Sequence, residues 1–293
     1  MDLTDALAAC AVDTESFLAA RLDVEGAPTR LVRAIAHGAL NGGKRLRPFL
    51  VRASAEAFGV AHADSLAAGA ALEMVHCYSL IHDDLPDMDN DAMRRGRQTV
   101  WKAFDPALAI LAGDALLTEA FAVLADPVAH ADAAIRVELI GVLASRAGML
   151  GMVGGQVADI EGETIPLDEA GIIAMQRRKT GALIGAGVEM GAILGRADTT
   201  QRAALIRYGE AAGLAFQLAD DILDVTATSA DLGKTAGKDV AQNKSTIVAR
   251  RGLNGARDML IDAVEDGVAA LSGFGAEADM LRALIVYFAE REN

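Results

Sequence analysis

The chain has 293 residues, 52% apolar and 23% charged, with six prolines and 4% aromatics. That length suits one large domain or two small ones, and a chain rich in Ala and Leu but poor in aromatics favours helix over sheet and is too apolar to be disordered. The formal net charge of −14 argues against the basic stripe of a nucleic-acid-binding protein and against a polybasic membrane-binding patch.

Along the chain, the start Met1-Asp2-Leu3-Thr4-Asp5 lacks the basic lead and apolar run of a signal peptide. No uncharged apolar run approaches the ~18–20 residues of a membrane span, so none is expected. Cys10 and Cys77 form no CxxC-type pair and are read as reduced thiols of a cytoplasmic protein. Short punctuation falls at Gly26-Ala27-Pro28, Gly42-Gly43, Asp105-Pro106, Asp126-Pro127, Ile165-Pro166, near Gly195 and over 229–237. Between these points apolar residues recur at helical spacing, as from Leu66 through Leu72 and Val75 toward Leu80, and from Ala203 through Ile206, Leu214 and Leu218 to Ile222. The pattern predicts about ten or more helices and no convincing strand. With no linker in the chain, residues 1–293 are expected to form a single all-α domain, a helical bundle around a central apolar cavity.

Two of the expected helices end in carboxylates. In the first, an apolar run leads into Asp83, Asp84, Asp87, Asp89 and Asp91, five aspartates within nine residues. The negative end of the helix dipole disfavours anions there, so a cation should offset them; Mg²⁺ fits, because it takes one or two carboxylates plus substrate phosphates. A solvated acidic loop is the ordinary reading of such a run taken alone. The second helix carries Asp220, Asp221 and Asp224 within Phe216-Gln217-Leu218-Ala219-Asp220-Asp221-Ile222-Leu223-Asp224. Asp220 and Asp224 share a face at i, i+4 and repel unless a cation bridges them, and carboxylates on a mostly apolar helix need partners. A salt-bridge network is the alternative there. Neither cluster has the alternating ligands, central Gly and closing Glu of an EF-hand.

An acidic chain that receives an anion must gather cations locally, and this one sets its basic groups beside its aspartates. Gly42-Gly43-Lys44-Arg45-Leu46-Arg47-Pro48 follows a glycine pair, Arg94-Arg95-Gly96-Arg97 follows the first cluster, and Arg177-Arg178-Lys179-Thr180-Gly181 forms a third group. Lys234, Lys238 and Lys244 follow the second cluster. None has Walker A spacing. Two aspartate clusters with nearby Lys and Arg form a layout that clamps diphosphates through Mg²⁺.

These residues resemble the trans-prenyl diphosphate synthases, and within them the bacterial farnesyl diphosphate synthase type. Asp83-Asp84-x4-Asp89 with Arg94-Arg95 is similar to that family's first aspartate-rich motif, and Asp220-Asp221-x2-Asp224 to its second. Gly43 to Pro48, Glu73-Met74-Val75-His76, Lys179-Thr180-Gly181 and Gly233-Lys234 match in the family's order, from about residue 40 onward. The resemblance implies that Asp83 and Asp89 hold two Mg²⁺ ions and Asp220 a third, with Mn²⁺ as a substitute, and that Asp84 and Asp224 support them. Asp221 belongs to the same catalytic motif. Arg94, Lys179 and Lys234 would bind the allylic diphosphate. Lys44, Arg47, His76 and Arg95 would bind isopentenyl diphosphate, while Thr180 and Gln217 would turn oxygen dipoles to the carbocation. Gln156 and Asp159 would line the same cavity.

The implied activity is head-to-tail condensation of isopentenyl diphosphate with dimethylallyl and geranyl diphosphate, by a homodimer. Tyr78 and Ser79, five and four residues before Asp83, would set chain length, with Tyr78 as a floor at C15; C10 and C20 products are the alternatives. Ile247-Val248 stands where the family shows Tyr-Pro, Trp101 replaces a common His and Gln98 a common Pro. Arg291 near the C-terminus is a candidate diphosphate contact. A terpene cyclase needs no second diphosphate site, and a non-catalytic partner subunit would be expected to lose aspartates or Lys44 and Arg47.

Overall fold

The computed structural model describes residues 2–226 and 246–290. Lys234, Lys238, Lys244 and Arg291 therefore lie outside the described residues. The described chain is helical nearly throughout, as the apolar periodicity predicts. Its residues gather into two compact units: residues 1–52 with 60–140, and residues 53–59 with 141–293.

In the first unit, α1 (Leu3–Leu22) starts where the Asp2 carboxylate accepts the Asp5 amide at 2.9 Å, satisfying one orphan donor of the first turn. Its buried residues are Ala6, Cys10, Thr14, Leu18 and Leu22, an unbroken i, i+4 stripe. α2 (Thr29–Ala39), the first part of α3 (Leu46–Glu56) and α4 (His62–Asp83) follow. α4 is buried almost all round from Ala67 to Tyr78, where small residues let its neighbours approach. Its main partner is α6 (Pro106–Ala125), reached through the short α5 (Val100–Ala103). Asp105 caps α6 by accepting the Leu108 amide at 2.8 Å, and Pro106 occupies the first turn, where its missing N–H costs nothing.

One element contradicts the sequence reading. Met93–Arg94 and Arg97–Gln98 pair as antiparallel strands, with Arg95 and Gly96 at φ 51° and 73° between them. Two positive φ values in a two-residue loop match the twist of a hairpin. Strands of two residues are too short to show alternation, and Arg-Gly lacks the usual Asn or Asp signal.

In the second unit, α7 (Ala133–Ala147), which begins in the first, leads to α8 (Met152–Gly162) and α9 (Glu169–Gln176). A π turn over Arg177–Gly181 joins α9 to α10 (Ala182–Leu194), nearly all of which is buried. α11 (Thr199–Thr226) packs on α10 and on α12 (Ile247–Ala270), which breaks at Gly252 where φ is 72°. α13 (Asp279–Glu290) closes the unit: Tyr208 donates its hydroxyl to the Leu281 carbonyl at 2.7 Å, and Phe216 meets Phe288 edge to face. By length and composition alone, α6 and the stretch Ala133–Gly162 are apolar enough to cross a membrane. α6 nevertheless carries Glu119, which pairs with Arg21 at 2.5 Å.

Candidate active site

The first aspartate cluster begins where α4 ends. Asp83 closes the helix, and the chain folds back so that the Asp89 amide donates to the Asp83 carbonyl at 2.8 Å and the Asp91 amide to the Asp84 carbonyl at 3.1 Å. Asn90 sits at φ 51° to make that reversal. Two aspartates six positions apart thus share one turn. Asp91 is in turn anchored through its carbonyl, which accepts from Thr99 Oγ1 at 2.7 Å and Trp101 Nε1 at 2.8 Å. The indole N–H of Trp101 thus serves as a structural donor.

Asp84 is 3% exposed. Arg94 meets its two oxygens from Nε, at 2.9 and 3.1 Å, and from Nη2 at 2.8 Å. Burial raises the Asp84 carboxyl above its ordinary range, with the Arg94 bonds pulling against that. The next residue, Arg95, lies over the glycine pair: its Nη1 donates to Asn41 Oδ1 at 3.0 Å and to the Gly42 carbonyl. A side chain at Gly43 would overlap the Arg95 guanidinium, so the Gly-Gly step makes the space. The hairpin therefore hands Arg94 to the aspartates and Arg95 to the Gly43–Arg47 turn.

Arg45 secures that turn from beneath. It is 3% exposed and takes φ 46°. Nη1 donates to Glu73 at 2.8 Å, and Nη2 donates to Glu15 at 2.9 Å and to the Ala39 carbonyl at 2.6 Å. Lys44 stands exposed beside it. His76, one turn after Glu73 on α4, is held neutral: burial first, then Arg47, Arg95, Arg94 and Arg45, push its pKa well below 6.5. Arg47, Arg95, Arg94 and Arg45 thus gather about His76 in one cationic corner of the first unit, with Lys44 next to Arg45 in the chain. Burial and the neighbouring Arg45 push Arg95 down too, with Cys77 and Glu73 pulling against them.

The second cluster lies on α11. Asp221 is 3% exposed and Asp224 8% exposed, so these carboxylates of a mostly apolar helix do need partners. The Asp221 carboxylate is committed to structure. It accepts Gln176 Nε2 and Gln217 Nε2 at 3.0 Å each, and the Ile247 amide at 3.3 Å, tying α9 and the start of α12 to α11. Because the Gln217 amide nitrogen is spent on Asp221, its carbonyl oxygen points elsewhere. Lys179 and Thr180 sit on the π turn, and Lys179 Nζ pairs with Asp159 Oδ2 of α8. A side chain at Gly155 would overlap the Lys179 backbone, and a Cβ at Gly213 would stand 2.9 Å from the Gly181 Cα. Close backbone approaches from α8 and α11 therefore set where the π turn sits; π turns often mark functional positions.

Comparison with known proteins agrees with this arrangement. The profile of the polyprenyl synthetase family matches residues 28–270. The chain is 43% identical to the farnesyl diphosphate synthase of Escherichia coli over the whole of both chains, and 43% identical to that of Micrococcus luteus over 91% of each. A crystal structure of an FPP/GFPP synthase from Zymomonas mobilis superposes with a TM-score of 0.90 over 98% of both chains, at 43% identity. The chain belongs to the polyprenyl synthetase family.

Within this synthetase the donor set suits a hard divalent cation, since the first motif offers carboxylate oxygens alone. Mg²⁺ is such a cation, and it takes one or two carboxylates together with substrate phosphates and water. Sequence reasoning missed Gln176, because its partner Asp221 is forty-five residues away, and missed the tie between Arg45 and Glu73, whose signal is an acid on an otherwise apolar face of α4. Tyr78 is buried, with its ring edge to face on His82, and Ser79 donates its hydroxyl to the His76 carbonyl at 2.9 Å.

Proposed function

We propose that this chain condenses isopentenyl diphosphate head to tail with dimethylallyl and then geranyl diphosphate to give farnesyl diphosphate. The observation that carries this reading is the pair of adjacent cation sets in the first unit. Arg94 reaches from the hairpin to Asp84, while Arg95 lies on the Gly42-Gly43 turn and Arg47 and Arg95 act on His76. Two anion-binding groups side by side suit two diphosphate substrates, whereas a cyclase needs one. The relatives named farnesyl diphosphate synthase support the same activity.

In this reading Asp83, Asp89 and Asp220 hold Mg²⁺, with Asp84, Asp221 and Asp224 behind them. Held there, Mg²⁺ would supply positive charge to the diphosphate oxygens of the allylic substrate. Arg94 and Lys179 donate to the same oxygens, and Lys234 is assigned there too. These donors favour the transition state because negative charge grows on the leaving group. Thr180 and the Gln217 carbonyl oxygen face the positive carbon. Lys44, Arg47, His76 and Arg95 orient isopentenyl diphosphate so that its double bond attacks that carbon. Neutral His76 contributes one N–H to an oxygen of the isopentenyl diphosphate. The allylic C–O bond breaks first, the isopentenyl double bond then forms the new C–C bond to the cation, and the proton lost from the adduct goes to the departing diphosphate.

Tyr78 supports a C15 limit, as an aromatic ring one and a half turns before Asp83. The family match runs unbroken through both compact units, which supports one synthase domain over 1–293. A cytoplasmic homodimer completes the proposal. Burial holds both thiols protonated, Cys10 at about 11 and Cys77 at about 12, and exposed Leu111, Met149 and Leu150 call for cover. The test is incubation with isopentenyl diphosphate and dimethylallyl or geranyl diphosphate, with Mg²⁺ or with EDTA, and sizing of the dephosphorylated products. Mg²⁺-dependent farnesol is the expected result. Geranylgeraniol would keep the reaction and remove the C15 limit; no condensation by folded protein would overturn the enzyme reading.

A further inference from the structure

The last turn of α4 carries a side chain that the proposed chemistry does not use. His82 stands one turn after Tyr78 on the same face, and their rings meet edge to face with centroids 5.7 Å apart and planes at 75°. On its other side the imidazole reaches α6, where Nε2 lies 3.0 Å from the Ile110 carbonyl oxygen. A carbonyl only accepts, so Nε2 carries the proton. Gly113 of α6 leaves the space that the ring fills, and any side chain there would overlap Nε2 and Cδ2. His82 is therefore held by a hydrogen bond, a helix groove and a second ring.

A floor stops chain growth only if it resists displacement, because burying each further five-carbon unit favours entry. Tyr78 hangs from one helix, and to make way for a longer chain it must swing about its first side-chain torsion. With His82 against its face, that swing meets a ring which α6 holds in place. We propose that His82 and Gly113 are specificity-determining positioning residues that brace Tyr78 and so limit the product to C15. The inference rests on the function proposed above.

The experiment measures products, not rates. Wild type, Tyr78→Ala, His82→Ala, Gly113→Ala and the Tyr78→Ala/His82→Ala double variant are each given isopentenyl diphosphate, Mg²⁺ and geranyl diphosphate. Prenyl alcohols are sized by chromatography, and circular dichroism melts confirm folding. Wild type should stop at C15, and Tyr78→Ala and His82→Ala should each raise the C20 share about tenfold or more. The double variant should go no further than Tyr78→Ala, since two residues acting through one ring are not additive. Gly113→Ala, which displaces the same imidazole from α6 without altering α4, should also let C20 through and serves if His82→Ala fails to fold. Should Tyr78→Ala lengthen the product while His82→Ala and Gly113→Ala keep the wild-type distribution, the brace is overturned and the function stands. Tyr78→Ala still stopping at C15 overturns the floor and the brace together. A folded wild type that makes no prenyl product overturns both the function and this inference.

Discussion

Asp84 and Arg94 form a nearly buried bidentate pair, the carboxylate side chain 4% exposed and the guanidinium 29%. Removing one partner of such a pair strands the other charge, which costs far more than the pair contributes. Arg94→Ala should therefore lower the unfolding free energy by about 3 kcal/mol, read from urea denaturation, and abolish most condensation. Arg94→Lys keeps the charge but loses the fork, and should fall between. His76 allows a test by pH. Its folded pKa is depressed below 6.5, so between that depressed value and 6.5 the unfolded chain binds a proton that the folded chain refuses. Stability from this site is complete above 6.5 and is lost as pH falls. His76→Gln should remove that loss, so that from pH 7 to pH 5 the variant is destabilised less than wild type, read from urea denaturation at each pH. An identical pH dependence in both proteins would mean that His76 is not held neutral.

At the scale of elements, the π turn ties local structure to chemistry. It adds a residue to the path between α9 and α10 and carries Lys179, while Gly155 of α8 comes backbone to backbone with it. Gly155→Ala forces the two apart, and overpacking of this kind costs about 1–3 kcal/mol. With Lys179 displaced, KM for the allylic diphosphate should rise while KM for isopentenyl diphosphate stays put; an equal rise in both would deny the turn its assigned role. Nothing in the sequence announces this turn, because Arg177-Arg178-Lys179-Thr180-Gly181 reads as helix followed by a stop. The long helices were different. α4 and α11 have apolar spacing that only a helix satisfies, and their aspartate ends were legible for the same reason. Asp221 shows where such reading stops. Its place in a motif could be read, but its bonds to Gln176 and to the Ile247 amide depend on which helices meet. The 93–98 hairpin was invisible too, since two strands of two residues carry no period.

For the whole molecule, the question is how a chain of net charge −14 receives an anion. At about 0.1 M salt the Debye length is ~10 Å, so the distant acidic surface is screened and the near cations decide. The sequence already suggested that basic groups flank the aspartates, and the structure gathers four of them near His76. The exposed apolar residues bear on assembly. Leu150 is 83% exposed and Met149 86%; if the proposed homodimer covers them, sedimentation should show a dimer of wild type that a Leu150→Glu, Met149→Glu variant weakens.

Mg²⁺ affects the whole molecule as well. Mg²⁺ keeps several waters and binds through one or two carboxylates plus substrate phosphates, so the aspartates alone should hold it weakly, and stabilisation by a ligand follows its concentration relative to its Kd. Millimolar Mg²⁺ alone should therefore barely move Tm. Inorganic diphosphate alone should move it slightly, through Arg94, Arg47 and Arg95. The two together should raise Tm by more than the sum of their separate shifts, because each supplies ligands that the other lacks. Asp83→Ala should remove the excess and leave the diphosphate shift, since it takes away carboxylate oxygens and no cation. A large shift with Mg²⁺ alone would mean that the aspartates form a metal site before substrate arrives, and would count against a cation that enters with the diphosphate.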